Sequence, residues 1–146
     1  WVTERHRRRV KAKFAVESFA RDVVAELRGA DKSLEEAFLF AWSSGGPAAY
    51  ATILDRDDTF AGAYVLASVF KPDQVDVKRA KGKRFYFEQG RADRVTPARF
   101  AEQANEVLAA KGAATKLVLF DGAHGFAMPD AVKSLRDALG FLVGED

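Results

Sequence analysis

The chain has 146 residues, 48% of them hydrophobic, with 23 basic against 21 acidic side chains, which is enough apolar content for one globular core and no second domain. It contains no cysteine, which excludes disulfides and thiolate metal sites, and no run of about 18 apolar residues that could cross a membrane as a helix. Localisation stays open. The chain begins at Trp1 and its only methionine is Met128, so a piece or processed product of a longer protein is expected, from which any leader would have been lost.

Residues 1–13 hold Arg5, Arg7, Arg8, Arg9, Lys11 and Lys13 against Glu4, a local charge of +5 that leaves −3 for the rest. Such a run could meet nucleic acid or an anionic surface, but no aromatic interleaving or second basic patch supports that. A solvated helix start or connecting segment is expected, with no nucleic-acid partner, and a single domain is expected over 14–146. Phe19, Val23 and Leu27, with Ala20 and Val24 beside them, predict a helix over 14–28 with one apolar face. Ala37-Phe38-Leu39-Phe40 then reads as a strand over 37–42 that runs into Ala41-Trp42-Ser43-Ser44-Gly45-Gly46 and a helix over 46–54. A serine at such a strand-to-helix turn is held in strained geometry with its hydroxyl clear of the sheet, the setting of a nucleophile. Taken alone, a serine beside glycines is more often a plain loop. Asp55, Asp57 and Asp58 flank Arg56 without the glycine and distal glutamate of a calcium loop, so a charged surface turn is expected there and no metal site.

A strand over 61–68 and a linker over 71–83 precede the strand 84–89. Beyond it, Gln89-Gly90-Arg91-Ala92-Asp93 reads as a glycine turn and loop aspartate, and Pro97 opens a helix over 97–111. That helix is expected to bury Phe100, Ala104, Val107, Leu108 and Lys111, and to stop at Gly112. The strand 115–120 leads into Asp121-Gly122-Ala123-His124-Gly125-Phe126, and a last helix over 130–142 is expected to bury Val132, Leu135, Leu139 and Leu142. The only other histidine, His6, lies in the basic run, so His124 is the candidate general base. Asp93 is the candidate to orient its imidazole, although an acid near a helix N-terminus also has a purely electrostatic role. Asp121, three residues from His124, is the rival acid and is expected to shape the turn instead.

Serine, aspartate and histidine therefore follow three different strands, in that order. The pattern resembles the C-terminal half of an α/β-hydrolase, in the esterase, lysophospholipase and polyhydroxybutyrate-depolymerase-like branch, from roughly Phe14 to the end. Ser43 and Gly45 match Gly-x-Ser-x-Gly with Ala41 in the first glycine's place; Gly90, Asp93, Val95 and Pro97 match the aspartate loop; Gly122, His124 and Gly125 match the histidine loop. The resemblance implies a partial α/β fold of about four parallel strands in sequence order, with N-terminal strands missing, crossover helices on one face and the last helix on the other. It implies a Ser43–His124–Asp93 triad with the Ser44 backbone N–H as one oxyanion donor, the second donor lying outside this chain. It also implies Trp42 and Phe126 at the substrate pocket, no cofactor, and an ester substrate handled through an acyl-enzyme, weakly by this chain alone. The outer edge of strand 37–42 would then need the missing N-terminal part or another copy to cover it. A prolyl-oligopeptidase-type peptidase and a non-catalytic hydrolase-like scaffold are the alternatives.

Overall fold

Runs of aromatic and aliphatic residues bounded by turn formers become four strands in the computed structural model, which describes residues 1–55 and 58–145. They are β1 (Phe38–Trp42), β2 (Gly62–Leu66), β3 (Arg84–Gly90) and β4 (Ala114–Phe120), all parallel and hydrogen-bonded in the order β1-β2-β3-β4. Trp42 is in register with Leu66, Leu66 with Glu88, and Gly90 with Phe120, so the carboxyl ends of all four strands lie along one rim of the sheet. The loops that leave this rim carry Ser43, Asp93 and His124. In parallel α/β sheets that rim is where ligand sites form.

Alternation along the strands assigns side chains to two cores. Ala63, Val65, Phe85 and Phe87 face α3 (Gly46–Ile53) and α4 (Arg99–Ala109), where they pack with Tyr50, Ile53, Ala104 and Leu108. Tyr64, Leu66 and Tyr86 face α5 (Ala131–Val143) and pack with Phe120, Ala138, Phe141 and Leu142. Each large apolar side chain so buried contributes about 1.5–3 kcal/mol relative to exposure. The crossover helices occupy one face and the last helix the other, a three-layer α/β arrangement.

The helices form where periodicity places them, but two present a different stripe to the core. In α2 (Val16–Ala30) only Ala20 and Val24 pack inward; Phe19, Val23 and Leu27 face outward, and Phe19 stacks on Phe14. The reason is that α2 packs against α3 rather than the sheet, and the small Ala20 permits that approach. In α5, Leu142 is buried as expected, but its companions are Ala138 and Phe141, while Val132, Leu135 and Leu139 are exposed. The helix has two apolar stripes, and the one with alanine lets it lie close to β2 and β3. Ser134 hydrogen-bonds buried Glu88, which fixes the same rotation. In α4 the buried residues are Ala101, Ala104 and Leu108; Val107 packs at the margin, Phe100 is half-buried, and Lys111 lies beyond the helix end and is exposed. Gly112 takes φ 86° and closes the C-terminus as expected.

Strand β2 ends at Leu66 rather than residue 68 because Ala67 turns to φ 47°. The linker forms two short 3₁₀ turns, Pro72–Gln74 and Val77–Ala80. The basic segment includes α1 (Glu4–Val10), which lies against α2: the Glu17 carboxylate accepts from the Glu4 N–H at 3.0 Å, and the Val16 N–H donates to the Val2 carbonyl. Asp55 pairs with Arg21 at 2.7 Å and Asp58 with Lys83 at 3.0 Å; Arg56 and Asp57 lie outside the described residues. No helix among the described residues is long and apolar enough to cross a membrane.

Candidate active site

Ser43 occupies a left-handed backbone conformation, φ 51°, between the last residue of β1 and a 3₁₀ turn, Ser43–Gly45, that continues into α3. That conformation costs an L-residue roughly 1–3 kcal/mol and persists only where the surroundings impose it. Here the imposition is visible. Ser68, on the loop after β2, donates its hydroxyl to the Ser43 carbonyl at 2.5 Å, and it fits only because residue 46 is glycine: a Cβ there would fall 1.9 Å from Ser68 Oγ. Ala41, in the place of a glycine, is buried and lies 3.8 Å from where a Cβ on Gly45 would sit, so a methyl group is accommodated. Ser68 had no sequence signal beyond being a small polar residue after a strand.

The other two loops are joined at Gly90. A Cβ on Gly90 would lie 2.4 Å from the Gly122 carbonyl and 2.5 Å from that of Ala123, so only glycine lets the loops after β3 and β4 touch. The Ala92 N–H donates to the Gly122 carbonyl at 3.0 Å, and the Arg91 N–H donates to the Phe120 carbonyl at 2.9 Å. This junction sets Asp93 beside His124.

The three side chains form one hydrogen-bonded line. His124 Nε2 is 3.0 Å from Ser43 Oγ, and His124 Nδ1 is 2.8 Å from Asp93 Oδ2. An ionised carboxylate only accepts, so the proton belongs on Nδ1 and Nε2 is the free base facing the serine. Asp93, whose side chain is fully buried, also accepts from the Val95 and Thr96 N–H groups, each at 2.8 Å, from the Thr96 hydroxyl at 2.7 Å and from Gln89 Nε2 at 2.8 Å. Burial pushes its pKa up, but the donors from Thr96, His124 and Val95 outweigh it and hold the carboxyl at about 2. Asp93 is thus an anion across the whole physiological range.

Asp121, the rival acid, has an almost fully exposed side chain and pairs with Arg91 at 3.5 Å. His6 bonds Thr3 at 3.0 Å. Trp42 stacks beside the His124 imidazole with ring centroids 6.2 Å apart, and Phe126 packs on Trp42 at 5.4 Å; both are about half exposed. Phe40 touches Phe126 at 6.1 Å and extends the shelf along β1. Ser44 follows Ser43 in the 3₁₀ turn, where the first N–H groups of a helix lack intrahelical partners and carry its positive dipole end. Ser44 also borders a cleft of about 670 Å³ between α1, α2, α3 and the Pro72–Gln74 turn. The supporting residues Thr96 and Gln89 were not legible as such in the sequence, since their role exists only once the loop folds back.

No protein-family model matches this chain, and no curated protein sequence matches it. Solved structures do. Arabidopsis thaliana SOBER1 superposes with a TM-score of 0.62 at 19% identity, over 86% of this chain and 61% of its own. The Bacillus cereus carboxylesterase gives 0.69 at 13% identity, over 84% and 58%. A Mycobacterium tuberculosis puromycin-hydrolyzing peptidase gives 0.67 at 18%, over 86% of this chain and 24% of its own. The chain therefore spans less than two thirds of the length of the structures it resembles. Its four parallel strands and flanking helices correspond to part of an α/β-hydrolase fold.

Proposed function

We propose that this chain is a serine hydrolase that cleaves carboxylic esters through an acyl-enzyme, with Ser43 as nucleophile, His124 as general base and acid, and Asp93 as the group that orients and charges the imidazole. The supporting observation is the continuous line from Ser43 Oγ through His124 to the buried Asp93 carboxylate, at 3.0 and 2.8 Å. His124 Nε2 takes the hydroxyl proton as Ser43 Oγ attacks the ester carbonyl. The imidazolium then protonates the departing alkoxide, and water repeats the sequence to release the acid. The Ser44 N–H stabilises the tetrahedral oxyanion as one donor. A second donor would come from outside this chain, and lacking one costs about 2.7–4 kcal/mol of transition-state stabilisation, so the chain alone is a weak catalyst. Trp42 and Phe126 form an apolar shelf for a non-polar part of the substrate.

The outer side of β1, unpaired among the described residues, is where an N-terminal part of the protein or a second copy would pair. Peptide cleavage is a second reading, favoured by the likeness to the puromycin-hydrolyzing peptidase; it uses the same residues with an amine as leaving group. An alkyl fluorophosphonate tests both. Mass-spectrometric labelling at Ser43, lost in Ser43→Ala, is expected, and a comparison of p-nitrophenyl ester with aminoacyl-anilide turnover then separates esterase from peptidase. A Ser43 that no acyl or phosphonyl reagent labels would leave a non-catalytic scaffold.

A further inference from the structure

Gln89 sits at the end of β3 with its side chain fully buried, and its amide is used one-sidedly. Nε2 donates both to Asp93 Oδ2 and to the Thr96 carbonyl, each at 2.8 Å, while Oε1 meets no hydrogen-bond partner among the described residues. Buried side-chain oxygens are rarely left bare. Rotating the amide would not help, because Oε1 would then face the Asp93 carboxylate and the Thr96 carbonyl, three acceptors together. The amide is therefore oriented by its two acceptors, with an N–H kept on Asp93. The oxygen it reaches, Oδ2, is the one that accepts from His124 Nδ1.

We infer that Gln89 is a positioning residue of this site, holding Asp93 Oδ2 in line with His124 and withdrawing part of its charge, so that it sets how readily the imidazole takes up a proton. This rests on the serine-hydrolase proposal above for its catalytic meaning, but not for its physical effect. Thr96 acts alongside it, since its hydroxyl donates to the same Oδ2 at 2.7 Å and lies 3.2 Å from His124 Nδ1. Other groups do not confuse the test. Around the pair the described contacts are Gln89, Thr96, the Val95 N–H, Ser43 and the Trp42 ring; Arg91 pairs with Asp121, and Arg94 is exposed.

Gln89→Met keeps the length and removes both donors and the bare carbonyl. Asp93 then keeps more of its negative charge, the imidazolium is favoured, and the acid limb of the pH–rate profile moves to higher pH, with kcat lowered along that limb, where more of the imidazole is protonated, and KM unchanged. The direct readout is NMR titration of the His124 Cε1 proton, with His6 as the internal control. The expected result is an upward shift of roughly half a unit to one unit, the scale of one charge-assisted hydrogen bond acting through the pair. Gln89→Leu, which also removes both donors and adds no charge to the buried site, is expected to give the same upward shift; it decides the matter if the methionine variant does not fold. A His124 that titrates as in the wild type in the folded variant, with only the melting temperature lowered, overturns the inference and leaves Gln89 a structural peg. Failure of Ser43 to label would defeat the ester-hydrolase proposal separately, since the titration needs no turnover.

Discussion

Ser43 combines a strained backbone with a hydroxyl 3.0 Å from the His124 imidazole, and each of these features depends on a few neighbours. Ser43→Ala is expected to lower ester turnover by about four to six orders of magnitude while leaving the melting temperature nearly unchanged, because one partly exposed hydroxyl is removed. Ser44→Ala is expected to stay within several-fold of wild type, since alanine keeps the N–H proposed to meet the oxyanion. The reverse pattern in steady-state assays would mean that the turn is misassigned by one residue. Asp93→Asn keeps the shape but loses the charge that favours the imidazolium, and a fall of about 10⁴ in kcat is expected. Wild-type activity should rise with pH as His124 loses its proton, because only the neutral ring accepts from serine. The Asp93 carboxyl also links pH to stability. Its pKa of about 2 in the fold lies below the 3.8 of a free aspartate, so the unfolded chain binds the proton more readily. The resulting stabilisation, about 2 kcal/mol, is complete above pH ~4 and disappears as pH falls toward 2. Urea unfolding of wild type and Asp93→Asn between those values is expected to converge at the acid end.

Among the elements, the loops after β2, β3 and β4 are positioned by glycines that mark close approaches. At Gly46 the crowding is against Ser68 and at Gly90 against the carbonyls of Gly122 and Ala123. Gly46→Ala is expected to destabilise by about 1–3 kcal/mol, the range for forcing extra volume into a packed site, and to lower turnover by disturbing Ser43. Adding Ser68→Gly should recover part of the loss in thermal melts, because it removes the atoms that a new Cβ meets at 1.9 and 2.6 Å. No recovery would mean that the turn, not the contact, rejects the methyl group. The helices behave differently. Periodicity locates α2 and α5, yet each has two apolar stripes, and the stripe that reaches the core is the one carrying alanine: Ala20 in α2 and Ala138 in α5. A small residue brings the backbone closer to its neighbour, a choice that depends on what lies opposite and is invisible in the helix's own sequence.

For the whole molecule, β1 is a border strand with Phe40 and Trp42 about half exposed and Phe126 beside them. An unpaired strand edge next to an apolar surface favours association. Sedimentation velocity of the isolated chain is expected to show concentration-dependent species larger than a monomer, and Phe40→Lys should shift them toward the monomer without removing the candidate catalytic groups. A stable monomer across concentrations, with nothing bound, would oppose the proposal that this edge needs a partner. Much of this architecture is legible from residues alone. Four apolar runs separated by helical periodicities imply a parallel sheet, and a serine, an aspartate and a histidine each just past a strand imply a common rim, because parallel strands all end on the same side. These are local signals, carried by side-chain period and turn chemistry. Tertiary structure alone decided which helix stripe is buried, that Ser68 holds the Ser43 carbonyl, that Asp121 turns to Arg91, and that Thr96 and Gln89 surround Asp93. Ser68 and Ser43 are 25 residues apart, and Thr96 and Gln89 reach Asp93 only once its loop has folded back; such contacts, like that between Ser43 and His124 across 81 residues, exist only after the chain has packed.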